Sequence, residues 1–311
     1  MTGEHRDVRF NHIVLEWYGM VSQGLVFDQI ITGLSIGGRL FLIAVGLSLI
    51  FGVLDVLNFA HGALFMIGAY IGVVAIQSVA GGFWLGLVAA AVGAGLVGVL
   101  IEVGAIRRVY HREELDQLLV TFAFVLILTD VVRFVFGTGQ KVVDPPALLA
   151  GSIRLTESLA LPAYRGFVIL VSVLTLGAIF LVLRTTNIGR LVRATSSDRD
   201  MAALMGVNVP RLYTLVFFVG AALAGLGGAL AAPTLSITSS LGDQVIIRAF
   251  VIAVIGGLGS FGGAFVGAYV VGITIAVGSL VVPGAGELIP FVAMIAVLLV
   301  KPEGLFGGAE A

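Results

Sequence analysis

Three polar side chains, Asp55, Asn58 and His61, follow one another at steps of three residues inside an apolar stretch of the chain. If one helix continues through this stretch, the spacing places all three side chains on roughly one face. Polar groups at membrane depth are costly, and they usually face a bundle interior or a water-filled cavity, where they mark pathways. We therefore predict that they line a pathway through a membrane. Two alternatives stay open: they hydrogen-bond neighbouring helices and cap a helix break, or they lie in a loop at the membrane surface.

A second group of charged residues lies between two long apolar runs, in residues 184–211. This segment, RTTNIGRLVRATSSDRDMAALMGVNVPR, contains five arginines and two aspartates. A positively charged loop between spans is retained on the cytoplasmic side. The loop is also longer than a connection requires, which is typical of a docking element. We therefore expect a soluble protein to contact this loop from inside the cell.

No residue pattern points to catalysis. The chain has no cysteine and four histidines, and no two histidines have the spacing of metal ligands. No nucleophile–base pair is recognisable, so the sequence predicts a non-catalytic protein that holds no metal or cofactor. The glycine-rich segment 254–263, VIGGLGSFGG, has no following lysine and no preceding strand, which argues against a phosphate-binding loop. It predicts a tight turn between two packed spans.

The composition indicates a membrane protein. Hydrophobic residues make up 59% of the chain and charged residues 11%, whereas about a quarter of the residues of a soluble domain are charged. Mean hydropathy is +1.13, and the apolar runs lack the alternation of a β-barrel. We predict an all-α, polytopic transmembrane helical bundle of about 8–9 spans, with an interrupted helix near residues 50–62. The apolar runs are at 28–50, 57–79, 82–105, 117–136, 166–183, 212–232, 245–258, 262–282 and 287–300.

The predicted domain organisation is simple. Positive residues predict that the connections 107–112 and 184–211 are both cytoplasmic. The connection 137–165 then faces outward, and the KPEGLFGG tail lies inside. The count of spans leaves the side of the N-terminus open. The three parts of the chain are a polar or interfacial N-terminal tail (1–27), a transmembrane domain (28–307) and a short C-terminal tail (308–311).

Charged residues near the ends of spans are predicted to be paired or solvated. Asp130 and Arg133 are three residues apart near the end of a span, and pairing lowers the cost of both charges. Glu102 lies close to Arg107 and Arg108 at a cytoplasmic span end, where we expect it to be solvated and screened.

Several blocks of the sequence resemble one family of transport proteins. Two of them, NFAHG and the RA…D…A…GV block, are specific in their order and spacing. Together the blocks closely resemble the permease subunits of branched-chain amino acid ABC importers, the LivH/LivM family, and most nearly its LivH-type member. The resemblance covers about residues 28–307. The blocks are GLSLIFGVLDVLNFAHGALFMIGAY (46–70), GRLVRATSSDRDMAALMGVNVPR (189–211) followed by AALAGLGGAL (221–230), GGLGSFGGAFVGAY (256–269) and KPEGLFG (301–307).

The resemblance implies a role for the arginine-rich loop. In such importers a cytoplasmic loop of the permease forms a coupling helix that docks in a groove of the ATPase, and Ser196–Leu204 is the matching segment. Ser196 or Ser197 can cap the start of this helix. Asp198 and Asp200 suit the positive end of its dipole.

The same resemblance assigns the contact surface. Ala202, Ala203 and Leu204 would supply a compact apolar contact, and Gly206 can end the helix. The arginines around the helix, including Arg193, can bond the ATPase or lipid headgroups. With Ser197 and Asp198, these residues form the predicted contact with the ATPase.

The resemblance also implies partners and location. A second, homologous permease would complete the pathway, as a heterodimer or a homodimer. Two cytoplasmic ATPase subunits would bind ATP and Mg²⁺, and an extracytoplasmic solute-binding protein would deliver the substrate. We expect a multi-pass protein of a bacterial inner membrane that contacts lipid and no nucleic acid.

Substrate is the least determined property. Branched-chain amino acids are the leading expectation, and urea, short amides or aromatic acids are alternatives within the same importer class. A remote alternative is a proton-coupled carrier that uses Asp55 and His61 as a relay.

Overall fold

The chain folds into α-helices joined by mostly short connections. The computed structural model describes residues 23–78, 82–154, 160–281, 286 and 288–307. Within these residues the strands β1 (Ser152–Arg154) and β2 (Ala160–Pro162) pair antiparallel, and Ile106–Arg108 and Ala147–Leu149 form 3-10 turns. The α-helices are α1 (Gln23–Leu54), α2 (His61–Ser78), α3 (Gly82–Gly104), α4 (Glu114–Phe136), α5 (Ala163–Thr185), α6 (Asn187–Ser197), α7 (Arg199–Leu204), α8 (Val209–Ala231), α9 (Leu241–Gly256), α10 (Phe261–Val281) and α11 (Ile289–Val300).

Seven helices, α1 to α5, α8 and α10, are long and apolar enough to cross a membrane. The prediction of an all-α polytopic bundle is therefore confirmed. The two remaining predicted spans are shorter helices, since α9 has 16 residues and α11 has 12. At about 1.5 Å per residue, neither covers the roughly 30 Å of a bilayer core by itself.

The described part of helix α1 includes residues 23–27, which the sequence assigns to the tail. The division of the chain into a tail, a transmembrane domain and a C-terminal tail stays a prediction. Residues 1–22 and 308–311 lie outside the described residues.

Both predicted interruptions are present. Helix α1 ends at Leu54, and residues 55–60 are non-helical. Residues 257–260 form the predicted turn between α9 and α10. The second interruption meets the last turn of α1, because a Cβ atom on Gly52 would lie 3.2 Å from the Cα of Gly259.

Small residues let the central helices pack closely. A Cβ atom on Gly68 of α2 would lie 2.3 Å from the Cα of Gly225 in α8, and one on Gly46 of α1 would lie 2.5 Å from the oxygen of Gly220 in α8. These distances leave no space for a side chain, so the helices meet backbone to backbone, as the glycine content predicts. Helices α1 and α8 lie at the centre of the bundle. In α4 and α5, by contrast, only 22% and 11% of the most apolar stretch of 18 residues is buried.

The bundle has two distinct ends. The end that holds residues 184–211 is called the coupling end, and the end that holds the β-hairpin is called the hairpin end. Thr214 of α8 donates a hydrogen bond to Glu102 at 2.9 Å, which brings the connection after α3 to the coupling end. At the hairpin end, Arg165 of α5 pairs with Asp28 of α1 at 2.7 Å. This arrangement agrees with the predicted grouping of the connections.

The C-terminal KPEGLFG segment closes the end of α9. The amides of Leu305 and Phe306 donate to the carbonyls of Ile255 and Gly256, at 2.8 and 3.0 Å. These carbonyls belong to the last turn of α9, where carbonyl groups have no hydrogen-bond donor within the helix. Gly304 allows the approach, because its φ is +81°. The segment is thus a helix cap, a role that its sequence alone does not indicate.

Candidate functional site

Residues 184–211 fold into two short helices, α6 and α7, rather than the single predicted helix. Asp198 separates them, with an extended backbone. Its Oδ1 accepts a hydrogen bond from the amide of Met201 at 2.8 Å, so Asp198 is the N-cap of α7. The prediction that Ser196 or Ser197 caps the helix is wrong, because both serines lie in α6. Asp198 takes the position since its carboxylate both accepts the amide and suits the positive helix end.

Gly206 ends α7, as predicted. Its φ is +88°, a conformation that glycine adopts without strain. The amide of Gly206 bonds the carbonyl of Ala203 at 3.0 Å, and the amide of Val207 bonds the carbonyl of Ala202 at 3.1 Å. This pair of bonds is a Schellman motif. Helix α7 is therefore capped at both ends despite its six residues.

The apolar surface of α7 differs from the predicted one. Ala202 is only 5% exposed because it packs against its own chain, so it is not part of an outer contact surface. Leu204 is 81% exposed, as the predicted contact requires, and Met205 and Met201 are 80% and 55% exposed. Neither methionine belongs to the predicted contact, which consisted of Ala202, Ala203 and Leu204. An exposed apolar group of this kind is typical of a protein contact.

Arg193 is turned toward its own chain. Its Nη1 donates to the carbonyl of Leu183 near the end of α5, where a cation also suits the helix dipole. Arg193 thus fastens α6 to α5, and its predicted contact with the ATPase or lipid stays a prediction. Beside it, α6 and the start of α8 border an open apolar groove of about 410 Å³ that includes Leu191 and Leu212.

The polar residues of the interrupted span do not share a helical face. Asp55 is exposed and has a φ of 56°, a left-handed conformation that aspartate adopts more readily than most residues. Asn58 lies in the non-helical connection, and His61 is the first residue of α2. The predicted common face is wrong, since α1 ends before the first of the three residues.

Asn58 and His61 are fully buried, each with 0% of its area exposed. The ring Nε2 of His61 lies 3.1 Å from the carbonyl oxygen of Ile43, and the amide of His61 donates to the carbonyl of Asn58 at 3.2 Å. Gly46 leaves space for the ring, because a Cβ atom there would lie 2.9 Å from Nε2. For His61 these contacts favour the packing and capping alternative, whereas the side-chain amide of Asn58 is buried without a hydrogen-bond partner. Direct contact with a substrate stays a prediction.

Tyr213 of α8 packs against the connection after α3. Its ring packs edge-on against Tyr110, with centroids 5.4 Å apart. Helix α8 and the connection after α3 therefore meet at this aromatic pair, and helix α7 also contacts α8. No local pattern marks either tyrosine, which is why the sequence analysis missed them.

Glu102 is buried, so the prediction of a solvated carboxylate is wrong. Its residue exposure is 0%. The carboxylate accepts two hydrogen bonds from Arg107, both at 3.0 Å, one from Tyr110 at 3.0 Å and one from Thr214 at 2.9 Å. These donors offset the cost of burying the charge. Burial and the neighbouring carboxylate raise the pKa of Tyr110, so its hydroxyl stays protonated and able to donate.

Comparison with known proteins places this arrangement in a family. Residues 29–298 match the family described as branched-chain amino acid transport system / permease component. The chain belongs to this family. It is 31% identical to the high-affinity branched-chain amino acid transport system permease protein LivH of Escherichia coli (strain K12), over 94% of this chain and 99% of that protein.

More distant relatives cover nearly as much of the chain. The permease is 30% identical to the corresponding protein BraD of Pseudomonas aeruginosa, over 91% of this chain and 96% of that one. It is 26% identical to the probable branched-chain amino acid transport permease protein LivH of Methanocaldococcus jannaschii, over 86% and 88%. No solved structure matches the chain significantly.

The family sets the general role of the chain. It is the permease component of a transport system and a multi-pass protein of the inner membrane. A family of transport components is consistent with the predicted non-catalytic role. In the part of the chain that the structure describes, no group of three histidine, aspartate or glutamate side chains could hold a metal ion.

Proposed function

We propose that the permease forms half of the translocation pathway of an ATP-binding-cassette importer for branched-chain amino acids. The relatives that cover almost the whole chain carry this substrate class in their names. A solute-binding protein outside the membrane would deliver the substrate to the hairpin end.

Helix α7 is the observation that carries this proposal. It is capped at both ends and presents Met201, Leu204 and the adjoining Met205 outward. The preceding helix α6 packs against α1, which ends at the break. A rigid helix of this kind transmits a displacement instead of absorbing it. A partner that moves α7 would therefore also move the break between α1 and α2, a two-state change of the kind used in transport.

The assembly would contain four kinds of subunit. A second, homologous permease would complete the pathway, most simply as a heterodimer, and two cytoplasmic ATPase subunits would receive the α7 helices. ATP and Mg²⁺ would be bound by those ATPase subunits, and this chain would hold no cofactor. Binding of ATP would close the ATPases and switch the permeases from an outward-facing to an inward-facing state.

The arrangement of Asp55 and His61 supports an importer over a proton-coupled carrier. A relay needs titratable groups within reach of one another or of shared water. Asp55 is exposed at the coupling end, whereas His61 is buried against Ile43 within the bundle. A self-contained carrier would also leave the capped, exposed α7 without a role.

Reconstitution tests the proposal. The chain, its second permease, the ATPase and the binding protein are placed in liposomes, and uptake of radiolabelled leucine is measured with ATP inside. We expect uptake with ATP, none with a non-hydrolysable analogue, and competition by isoleucine and valine. Uptake driven by a proton gradient without ATP would contradict the importer. Competition by urea, short amides or aromatic acids but not by isoleucine would contradict the substrate class.

A further inference from the structure

The connection from α8 to α9 carries a polar surface that the coupling mechanism does not use. We call residues 234–244 the polar segment. Its exposed side chains include Thr234, Ser236, Ser240, Asp243 and Gln244. Such a run of exposed polar groups is unusual in a chain with so few charged residues.

Two arginines from other helices are bonded to this segment. Arg133 of α4 donates from Nε to the hydroxyl of Ser239 at 3.2 Å, and its Nη1 pairs with Asp130 at 3.2 Å, which confirms the predicted pair. Arg39 of α1, which lacks a nearby partner in the sequence, donates to the hydroxyl of Thr234. Cations and carboxylates are therefore held on the same surface.

The far end of the polar segment lies near the middle of the bundle. A Cβ atom on Gly62 would lie 2.3 Å from the carbonyl oxygen of Gly242 in α9. The preceding residue, His61, bonds the carbonyl of Ile43, which is in the middle third of the span Leu25–Leu54. The first turn of α9 is therefore at mid-depth.

The near end of the segment lies at the hairpin end. The hydroxyl of Tyr164, the second residue of α5, donates to the carbonyl of Leu230 in the last turn of α8 at 2.8 Å. From there the chain passes Ile237, whose amide and carbonyl both pair with Lys141 of the connection after α4 at 2.9 Å. Residues 238–240 then lead down to the first turn of α9.

Exposure of the polar segment to lipid would be energetically costly. Asp243 is exposed in the first turn of α9, at mid-depth. Exposed charges at this depth face a bundle interior or a water-filled cavity. Water or another protein must therefore cover the polar segment, and the charges of both signs favour a polar solute over an apolar protein face.

We propose that the polar segment, together with Asp130 and Arg133, lines the translocation pathway and holds the zwitterionic part of the amino acid. Arg133 faces the α-carboxylate, and Asp243 faces the α-ammonium group. This rests on the proposed function, because the solute class comes from it. Asn58 and His61 are buried inside the subunit and do not line the pathway in this conformation; the contact with the segment there is that of Gly62 with Gly242.

Cysteine labelling tests the location of the surface. The chain has no cysteine, so Ser240→Cys and Gln244→Cys introduce single thiols. In the assembled complex we expect a charged, water-soluble thiol reagent to label both and to block leucine uptake. Val131→Cys is the control, because Val131 is 50% exposed on an apolar face of α4 and should not react. Labelling in the isolated subunit but not in the complex would mean that the second permease covers the surface, and would overturn the proposal.

Charge substitutions test the recognition step. Arg133→Gln and Asp243→Asn should each lower leucine uptake about tenfold, the effect of losing one charge-assisted hydrogen bond, while ATPase stimulation by the loaded binding protein persists. Arg133→Lys should recover most of the uptake. Arg154→Gln, an exposed arginine of the β-hairpin, is the matched control and should leave uptake unchanged.

Two results separate this proposal from the proposed function. Parallel loss of uptake and ATPase stimulation in Arg133→Gln and Asp243→Asn, with no recovery in Arg133→Lys, would overturn the pathway assignment. Absence of ATP-driven uptake in the wild-type complex would instead overturn the proposed function. In that case labelling of Ser240→Cys still reports whether water reaches the polar segment.

Discussion

Glu102 shows how this membrane protein keeps a charge in its interior. The carboxylate is surrounded by donors from Arg107, Tyr110 and Thr214, and its own residue is fully buried. A satisfied buried pair adds little net stability, but removal of one partner leaves the other charge without compensation. Glu102 therefore holds three segments of the coupling end in register.

Replacement of Glu102 by alanine should destabilise the permease by about 3 kcal/mol, because the hydroxyls of Tyr110 and Thr214 lose their acceptor. Thermal unfolding of the purified protein in detergent measures the change. Asp116→Ala is the matched control, since Asp116 pairs with Arg112 at 3.9 Å in an exposed position. There we expect less than about 1 kcal/mol. Equal effects of the two variants would contradict a buried structural role for Glu102.

His61 offers a second test at the scale of one residue. His61→Leu removes the contact with the carbonyl of Ile43, and we expect a loss of about 1 kcal/mol in stability, with less folded permease and proportionally less uptake. His61→Gln keeps a nitrogen donor at the same reach and should recover both. Normal stability combined with lost uptake in His61→Leu would instead point to a direct role in the pathway.

At the scale of helices, span length was predictable and helix starts were not. Apolar runs of about 20 residues must cross the membrane, so the long helices follow from hydropathy alone. In the sequence analysis, Ser196 or Ser197 was named as the cap of α7, and Asp198 was placed only near the positive end of the helix dipole. The position of the cap depends on where α6 ends, and the continuation of α6 through both serines leaves only Asp198. Serine and aspartate are both good N-cap residues, so residue type alone does not predict which of them caps the helix.

The exposed side chains of α7 give a prediction at this scale. Leu204→Asp should leave the permease folded but lower ATPase retention and leucine uptake at least about tenfold, because a charge would be desolvated in the apolar contact. Co-purification of the ATPase measures docking directly. Leu148→Asp is the control, since Leu148 is 79% exposed, close to the 81% of Leu204, but lies in the connection after α4. Normal docking by Leu204→Asp would remove α7 as the coupling element.

At the scale of the whole molecule, the contacts that define both candidate sites join distant parts of the chain. Thr214 meets Glu102 across 112 residues, and Arg133 meets Ser239 across 106. Periodicity and spacing report only local geometry, so the burial of Glu102 and the depth of the polar segment were outside the reach of sequence reasoning. The grouping of connections at two ends was predictable, because positive charge acts on each loop separately.

Sidedness is the last prediction, and it concerns the molecule in its membrane. Ser197 and Gly151 are both exposed and lie at the coupling end and the hairpin end. With no native cysteine to interfere, Ser197→Cys and Gly151→Cys can be labelled one at a time with an impermeant thiol reagent. The positive charge of residues 184–211 holds the coupling end in the cytoplasm. Intact cells should therefore show labelling of Gly151→Cys only, and permeabilised cells should show both. Labelling of Ser197→Cys in intact cells would reverse the orientation and remove the ATPase from the end where α7 is presented.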